Sequence, residues 1–257
     1  MRAACCEATV LSHEAVAADI RLLRVLWPDR EHLPHAGQFF TLRAWGADEA
    51  PFLSRPISVH KWEPQTQTVE FLYQVIGEGT RKLAALKQND SFQLTGPMGN
   101  GFDIPALTRS CQKIAVVGGG IGTAPMYQVT RELAAAGCKP DVFFGFRDTP
   151  YCMEEYRSIA NLVKVSTDTG AVGFHGFVTQ LYDPADYDAV LVCGPTVMMK
   201  NAARLCAEKG TPCFVSLEKK MACGIGACLG CTCETKGGEG KSVCKNGPVF
   251  DATEVFF

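Results

Sequence analysis

The run CGIGACLGCTC places four thiols, Cys223, Cys228, Cys231 and Cys233, within eleven residues, and a fifth, Cys244, follows. Thiolates gathered this closely bind metal. The spacing of the first three, C-x4-C-x2-C, opens a plant-type [2Fe–2S] loop. Gly224, Gly226 and Gly230 allow the backbone to wrap closely and to turn N–H groups towards sulfur, which favours the negative charge of such a cluster. A fourth ligand is required. Cys233 lies so soon after Cys231 that the chain would have to curl sharply for both to reach one cluster. Cys244, followed by KNGPVF, can return as the far arm of a loop. The expected ligands are therefore Cys223, Cys228, Cys231 and Cys244, with Cys233 left over. Structural zinc is the competing reading, although zinc ribbons usually pair C-x2-C with C-x2-C.

A second constellation lies upstream. KIAVV, a buried strand by composition, runs into GGGIGTAP at Gly118–Pro125 and then into a helix-like stretch. Glycines after a strand let the backbone approach a pyrophosphate, and the following helix offers free N–H groups. The pattern is G-x-G-x-x-P, through Gly120, Gly122 and Pro125, and departs from the G-x-G-x-x-G fingerprint. A tight turn without a ligand would read the same way. Later strands end in FGFRD, VSTDTG and VLVCGP, bringing Arg147, Asp168, Cys193 and Gly194 to the edge where such sheets bind ligands. Asp168 would repel a 2′-phosphate and accept from a ribose hydroxyl, which favours NAD over NADP, whereas Arg147 pulls the other way. A third constellation is RPIS, Arg55–Ser58, with GEGT at Gly77–Thr80. An arginine on a strand and a helix start could together hold a pyrophosphate. The plainer reading of such an arginine is a surface ion pair.

The elements that must position these residues divide the chain in three. Residues 1–108 read as short alternating strands, EATVLSHEAVA, DIRLLRVLWP, GQFFTLRAW, RPISVHKWE, TVEFLYQVIG and DSFQLTGPMG, of an antiparallel β-barrel, with a short helix beginning near Thr80 as N-cap. Residues 109–216 alternate strand and helix, as in a parallel doubly wound α/β sheet. Residues 217–257 lack periodicity and are expected to depend on a metal for order.

Composition narrows the class. With 257 residues and a hydrophobic fraction of 47%, the chain can build two modest cores. A net charge of −2 with mixed signs gives no reason to expect nucleic-acid or membrane binding. The thirteen cysteines are odd in number and clustered, and no segment of signal length or of about 20 apolar residues occurs. A reduced, cytoplasmic protein is expected. The scattered Cys111, Cys138, Cys206 and Cys213 read as small packing residues.

Taken in chain order, R-x-x-S, G-x-G-T, G-x-G-x-x-P and CGP resemble the ferredoxin–NADP reductase superfamily over about residues 8–216. Ile57 stands where that superfamily commonly has tyrosine. SLEKKMACGIGACLGCTC with VCKNGPVF, together with RPIS and GEGT, is a narrower match. It resembles the electron-transfer subunits of NAD-dependent (type B) dihydroorotate dehydrogenase over nearly the whole chain.

The resemblance implies that the barrel binds FAD through Arg55, Pro56, Ile57, Ser58, Leu72, Tyr73, Gln74, Gly79 and Thr80, and that Gly120, Gly122, Cys193 and Gly194 position NAD. Cys193 either orients the nicotinamide or simply packs. No residue is expected to be catalytic in its own right. Nicotinamide carries two electrons as a hydride, an iron–sulfur cluster carries one, and a flavin connects the two. The implied partner is an FMN-binding catalytic subunit that oxidises dihydroorotate to orotate in UMP biosynthesis, in a heterotetramer with two copies of each chain. A free-standing NAD(P)H reductase feeding an oxygenase and a zinc-stabilised nucleotide-binding regulatory protein remain as alternatives.

Overall fold

The computed structural model describes residues 3–256, so the outermost bounds of the expected units, residues 1–2 and 257, lie outside the described residues. The first sheet is a curled antiparallel half-barrel. It comprises β1 (Ala4–Ala15), β2 (Ile20–Leu26), β3 (Phe39–Arg43), β4 (Arg55–Ser58), β5 (Lys61–Glu63), β6 (Thr68–Gln74) and, after the helix α1 (Glu78–Ala84), β7 (Ser91–Met98). The seven strands run in the order β4-β3-β7-β1-β2-β6-β5. RPISVHKWE, read as one run, is two strands. His60 lies at the corner between them. Alternation along the strands sends Phe40, Phe71, Leu23 and Leu94 into a core around Trp27, whose ring meets Phe40 edge-on at 5.0 Å.

The chain then forms α2 (Ile104–Ser110) and enters the second sheet through β8 (Ile114–Gly119), α3 (Thr123–Ala135), β9 (Asp141–Phe146), α4 (Met153–Arg157), β10 (Leu162–Thr167), β11 (Phe174–His175), β12 (Ala189–Cys193), α5 (Thr196–Lys209) and β13 (Cys213–Ser216). The strand order β10-β9-β8-β12-β13 places β8 and β12 side by side where the order reverses. Ligands bind at such a switch point. Alternate residues face opposite layers. Val116 and Leu191 pack with Met126 and Leu133 of α3, while Val117, Val190 and Val192 pack with Met199 and Ala202 of α5. The sheet is thus covered on both faces, which is why its strands are uniformly apolar.

The remaining chain forms the two-stranded ladder β14 (Thr232–Glu234) and β15 (Gly240–Ser242), the turn-like α6 (Val243–Asn246) and β16 (Val249–Asp251). Two differences from the sequence expectation appear here. β16 pairs antiparallel with β13, so the second sheet is mixed, not wholly parallel. The C-terminal segment also buries Val243, Phe250, Ala252 and Val255 against the second sheet, so it shares a core and is not ordered by metal alone.

Candidate functional site

A cavity of about 770 Å³ opens between the half-barrel and the second sheet. Its barrel wall is Arg55–Ser58 of β4 with Leu72–Gln74 of β6, and Gly77 and Thr80 close one end. The Arg55 guanidinium lies over Gly79. A Cβ there would come within 2.5 Å of Nε, so only glycine admits this approach. Nη1 of Arg55 donates to the Leu53 carbonyl at 2.5 Å, and the guanidinium carbon stands 5.8 Å from the centre of the Trp45 ring. These contacts hold the cation in the cavity lining, where it could pair with an anionic phosphate.

Thr80 is not the N-cap. It stands in the first turn of α1, where its Oγ1 accepts from the N–H groups of Ile76 and Gly77, each at 3.0 Å, and Gly77 is the cap. Strand alternation divides the β6 residues. Leu72 packs towards the second sheet beside Ala124, whereas Tyr73 turns into the barrel core, where its hydroxyl meets His13 Nε2 at 3.0 Å. Burial raises the Tyr73 phenol, which keeps it neutral.

The opposite wall is built from the switch point. Gly118–Gly122 turns from β8 into α3, and Ile121, Ala124 and Pro125 face the cavity. Gly120 has φ +53° with nothing within 4 Å of a Cβ, so the loop is open at that point. At Gly122 a Cβ would lie 2.5 Å from the Cys193 carbonyl oxygen and 2.5 Å from the Gly194 Cα. Gly122, Cys193 and Gly194 are therefore one packed junction, with Gly120 on its open side. Cys193 is buried and faces the cavity. Burial, the Glu218 carboxylate and, in the opposite sense, a hydrogen bond with Ser216 together push its thiol well up, so it is a neutral group and not a nucleophile. Asp168 is exposed after β10, and its N–H donates to the Phe146 carbonyl at 3.1 Å. It lies beside Arg147, whose carbonyl accepts from Thr169 at 3.3 Å. These two stand outside the cavity lining, on the sheet edge beyond the loop.

The third wall was missed by the sequence reading. Ser216, Leu217, Glu218, Lys219, Lys220 and Met221 line the cavity as the chain leaves β13. Glu218 is reached by solvent through the cavity, yet the protein mass around it raises its carboxyl above the ordinary value. Met221, the last of these, is two residues from Cys223.

In the cysteine loop, N–H groups point at sulfur. Gly226 donates to Cys244 Sγ at 3.1 Å, Cys228 to Cys223 Sγ at 3.4 Å, Cys244 to Cys231 Sγ at 3.4 Å and Gly230 to Cys228 Sγ at 3.5 Å. Gly224 and Gly226 have φ of +70° and +80°, the conformation that turns these donors inward. Burial opposes ionisation of Cys223, but the N–H groups of Cys228, Ile225 and Ala227 and the Cys228 side chain outweigh it and lower the thiol to about 6. Burial and the neighbouring Cys231 thiol push Cys244 up to about 12. Thiols crowded in this way are relieved by a cation that takes them as thiolates. Cys233 faces elsewhere in its bonding, since its Sγ donates to the Lys241 carbonyl across the β14–β15 ladder at 3.3 Å. Among the described residues, no three ligand-type side chains already stand at metal-binding spacing. The donor set of Cys223, Cys228, Cys231 and Cys244 nonetheless fits an iron–sulfur cluster, with N–H groups directed at all four sulfurs.

Residues 218–256 match the family described as the iron-sulfur cluster binding domain of dihydroorotate dehydrogenase B. The dihydroorotate dehydrogenase B (NAD(+)) electron transfer subunit of Clostridium acetobutylicum is 44% identical over 85% of both chains. The chain belongs to this family of electron-transfer subunits. The subunit of the same name from Caldanaerobacter subterraneus is 38% identical over 98% of both chains. Among solved structures, a chain of an NADH-dependent reduced ferredoxin–NADP oxidoreductase, described for flavin-based electron bifurcation, superimposes with a TM-score of 0.85 and 28% identity. The match covers 97% of this chain and 89% of that one. That superposition spans the half-barrel, the switch-point sheet and the C-terminal segment of this chain. Among the described residues, no helix is long and apolar enough to cross a membrane.

Proposed function

We propose that the chain is the electron-transfer subunit of an NAD-dependent dihydroorotate dehydrogenase. It connects an FMN-bearing catalytic subunit, through a [2Fe–2S] cluster and FAD, to NAD⁺ in pyrimidine biosynthesis. The observation that carries this reading is the continuity of the cavity wall, which runs from the nucleotide loop at Ile121–Pro125, past Cys193, to Met221, two residues before the cysteine loop begins at Cys223. A bound flavin supplies the exchange between a two-electron carrier and a one-electron cluster. The chain's own residues do the rest. Arg55 neutralises phosphate, with Thr80 ordering the helix start beside it. Pro56, Ile57, Ser58, Leu72, Tyr73 and Gln74 form the wall for the ring system, and Gly79 makes room for the Arg55 guanidinium. Gly120, Gly122, Cys193 and Gly194 place the nicotinamide end of NAD, and Asp168 selects for the unphosphorylated ribose. Cys223, Cys228, Cys231 and Cys244 hold the cluster.

The units are residues 1–108 for FAD, 109–216 for NAD and 217–257 for the cluster. Exposed Ile225, Cys228 and Leu229 would face the catalytic subunit in a cytoplasmic heterotetramer with two copies of each chain. Relatives that share most of their length with this chain favour this reading over a free-standing reductase. Assay of iron, sulfide, zinc and flavin on one anaerobic sample tests it. About two irons, two sulfides and one flavin per chain are expected. Zinc without flavin would overturn the proposal.

A further inference from the structure

The half-barrel meets the second sheet along one face of α3. The Ala124 carbonyl takes a hydrogen bond from His60 Nδ1 at 2.7 Å. One turn on, Gln128 Oε1 accepts from the Trp62 N–H at 2.9 Å. Arg131 donates to the Trp62 carbonyl at 3.0 Å and pairs with Glu63 at 3.1 Å, and Glu132 Oε1 accepts from the Ala36 N–H at 3.0 Å. Positions 124, 128, 131 and 132 share one helix face, so the barrel corner is stitched to α3 along its length.

His60 occupies the stitch next to the nucleotide loop. It is 4% exposed, and its ring stacks on Tyr127 at 5.0 Å and 25°. Its own N–H donates to the Glu70 carbonyl at 2.9 Å, which ties it to the barrel sheet. A carbonyl only accepts, so Nδ1 carries the proton. Burial lowers the ring below the ordinary histidine value, which keeps it in this neutral form. Ser58, two residues before His60, and Ala124, two residues after Gly122, both line the cavity. A second clamp comes from behind α3, where the Tyr156 hydroxyl donates to the Thr123 carbonyl at 2.6 Å. The first turn of α3 is therefore held between the two.

We propose that His60 is a positioning residue for transfer between nicotinamide and flavin. The bond from its Nδ1–H to the Ala124 carbonyl sets the distance of the nucleotide loop from the flavin wall. The proposal rests on the reading of the cavity as the FAD site and of the loop as the NAD site. His60 touches neither cofactor in this account. It acts through α3, and transfer between two bound groups is sensitive to displacements of order 1 Å.

The test compares His60→Leu, which removes the donor, with His60→Gln, which keeps an N–H donor on a flexible stem. Two quantities are followed in the full chain carrying its cofactors. One is amide hydrogen exchange at residues 122–127. The other is the rate of flavin reduction by NADH, with the KM for NADH measured alongside. For His60→Leu, exchange in the first turn of α3 should quicken and flavin reduction should fall about tenfold or more, with KM changed by less than about threefold. Flavin content and reduction by dithionite should be unaltered, and His60→Gln should recover most of the rate. If His60→Leu does not fold, Tyr127→Leu, which removes the stacking partner of the ring, is expected to give the same pattern. Unchanged exchange and rate, or a glutamine variant as slow as the leucine variant, would overturn the proposal. A wild-type chain that holds flavin but is not reduced by NADH would instead overturn the functional reading, and the exchange result would stand apart from it.

Discussion

Gly122→Ala probes the packed junction of the nucleotide loop directly. The new Cβ would lie 2.5 Å from both the Cys193 carbonyl oxygen and the Gly194 Cα, whereas ordinary contact begins near 3.4 Å, so about 0.9 Å must be found. The β12 side cannot yield easily, because β12 is hydrogen-bonded to β8 on one edge and β13 on the other. The N-terminus of α3 must move, against the holds of His60 and Tyr156 on its first turn. Overpacking of this kind costs about 1–3 kcal/mol of stability. A loop displaced by nearly 1 Å should slow flavin reduction by NADH by about 10- to 100-fold. Rapid mixing with NADH under anaerobic conditions measures that rate, and dithionite reduction controls for flavin occupancy. Gly120→Ala is the contrast, since its Cβ enters open space at φ +53°. It should strain the backbone by about 1–2 kcal/mol and act mainly on the KM for NADH, because the space it fills lies in front of the loop. A Gly122→Ala protein that reduces its flavin at the wild-type rate would refute the argument.

Three further outcomes are expected. Cys228→Ser and Cys244→Ser should each lose the visible spectrum of the cluster, while Cys233→Ser keeps it; absorption and iron content decide. Asp168→Ala should narrow the ratio of kcat/KM for NADH over NADPH by about 1 kcal/mol or more, and an unchanged ratio would remove Asp168 from the specificity account. Stability should fall on acidification through His60. Its folded value lies below the unfolded value of about 6.5, so between the two the unfolded chain binds more protons. This contribution is complete above about pH 6.5 and is lost as pH falls through the folded value, so thermal midpoints of His60→Gln should fall less steeply with acid.

The cysteine loop with its inward N–H groups and the strand–glycine–helix turn were legible in the sequence because local spacing creates them. A loop that aims its own N–H groups at sulfur carries its glycines and cysteines within a few positions, and a strand–glycine–helix turn does likewise. The alternation of β1, β2 and β6 and the apolar runs of β8 and β12 gave the two sheets for the same reason. What escaped depends on distant chain. SLEKKM has no periodicity, and it becomes a cavity wall only because β13 ends beside β12 and β16 fastens its far side. β16 is too short for any pattern, and its antiparallel place at the sheet edge follows from where the cluster segment returns. Threonine favours the cap position, but the Thr80 hydroxyl serves from inside the first turn by accepting from the Ile76 and Gly77 N–H groups. His60 carried no local signal at all, since its partner Ala124 lies on the other unit.

The most direct test of the central claim is a reconstitution. The chain is combined anaerobically with an FMN-bearing dihydroorotate dehydrogenase catalytic subunit, and orotate and NADH are measured after addition of dihydroorotate and NAD⁺. NADH should form in step with orotate when the wild-type chain is present, and should not form when the chain is omitted or replaced by Cys228→Ser. Orotate appearing without NADH in the presence of the fully loaded chain, or NADH forming equally well with Cys228→Ser, would contradict the account.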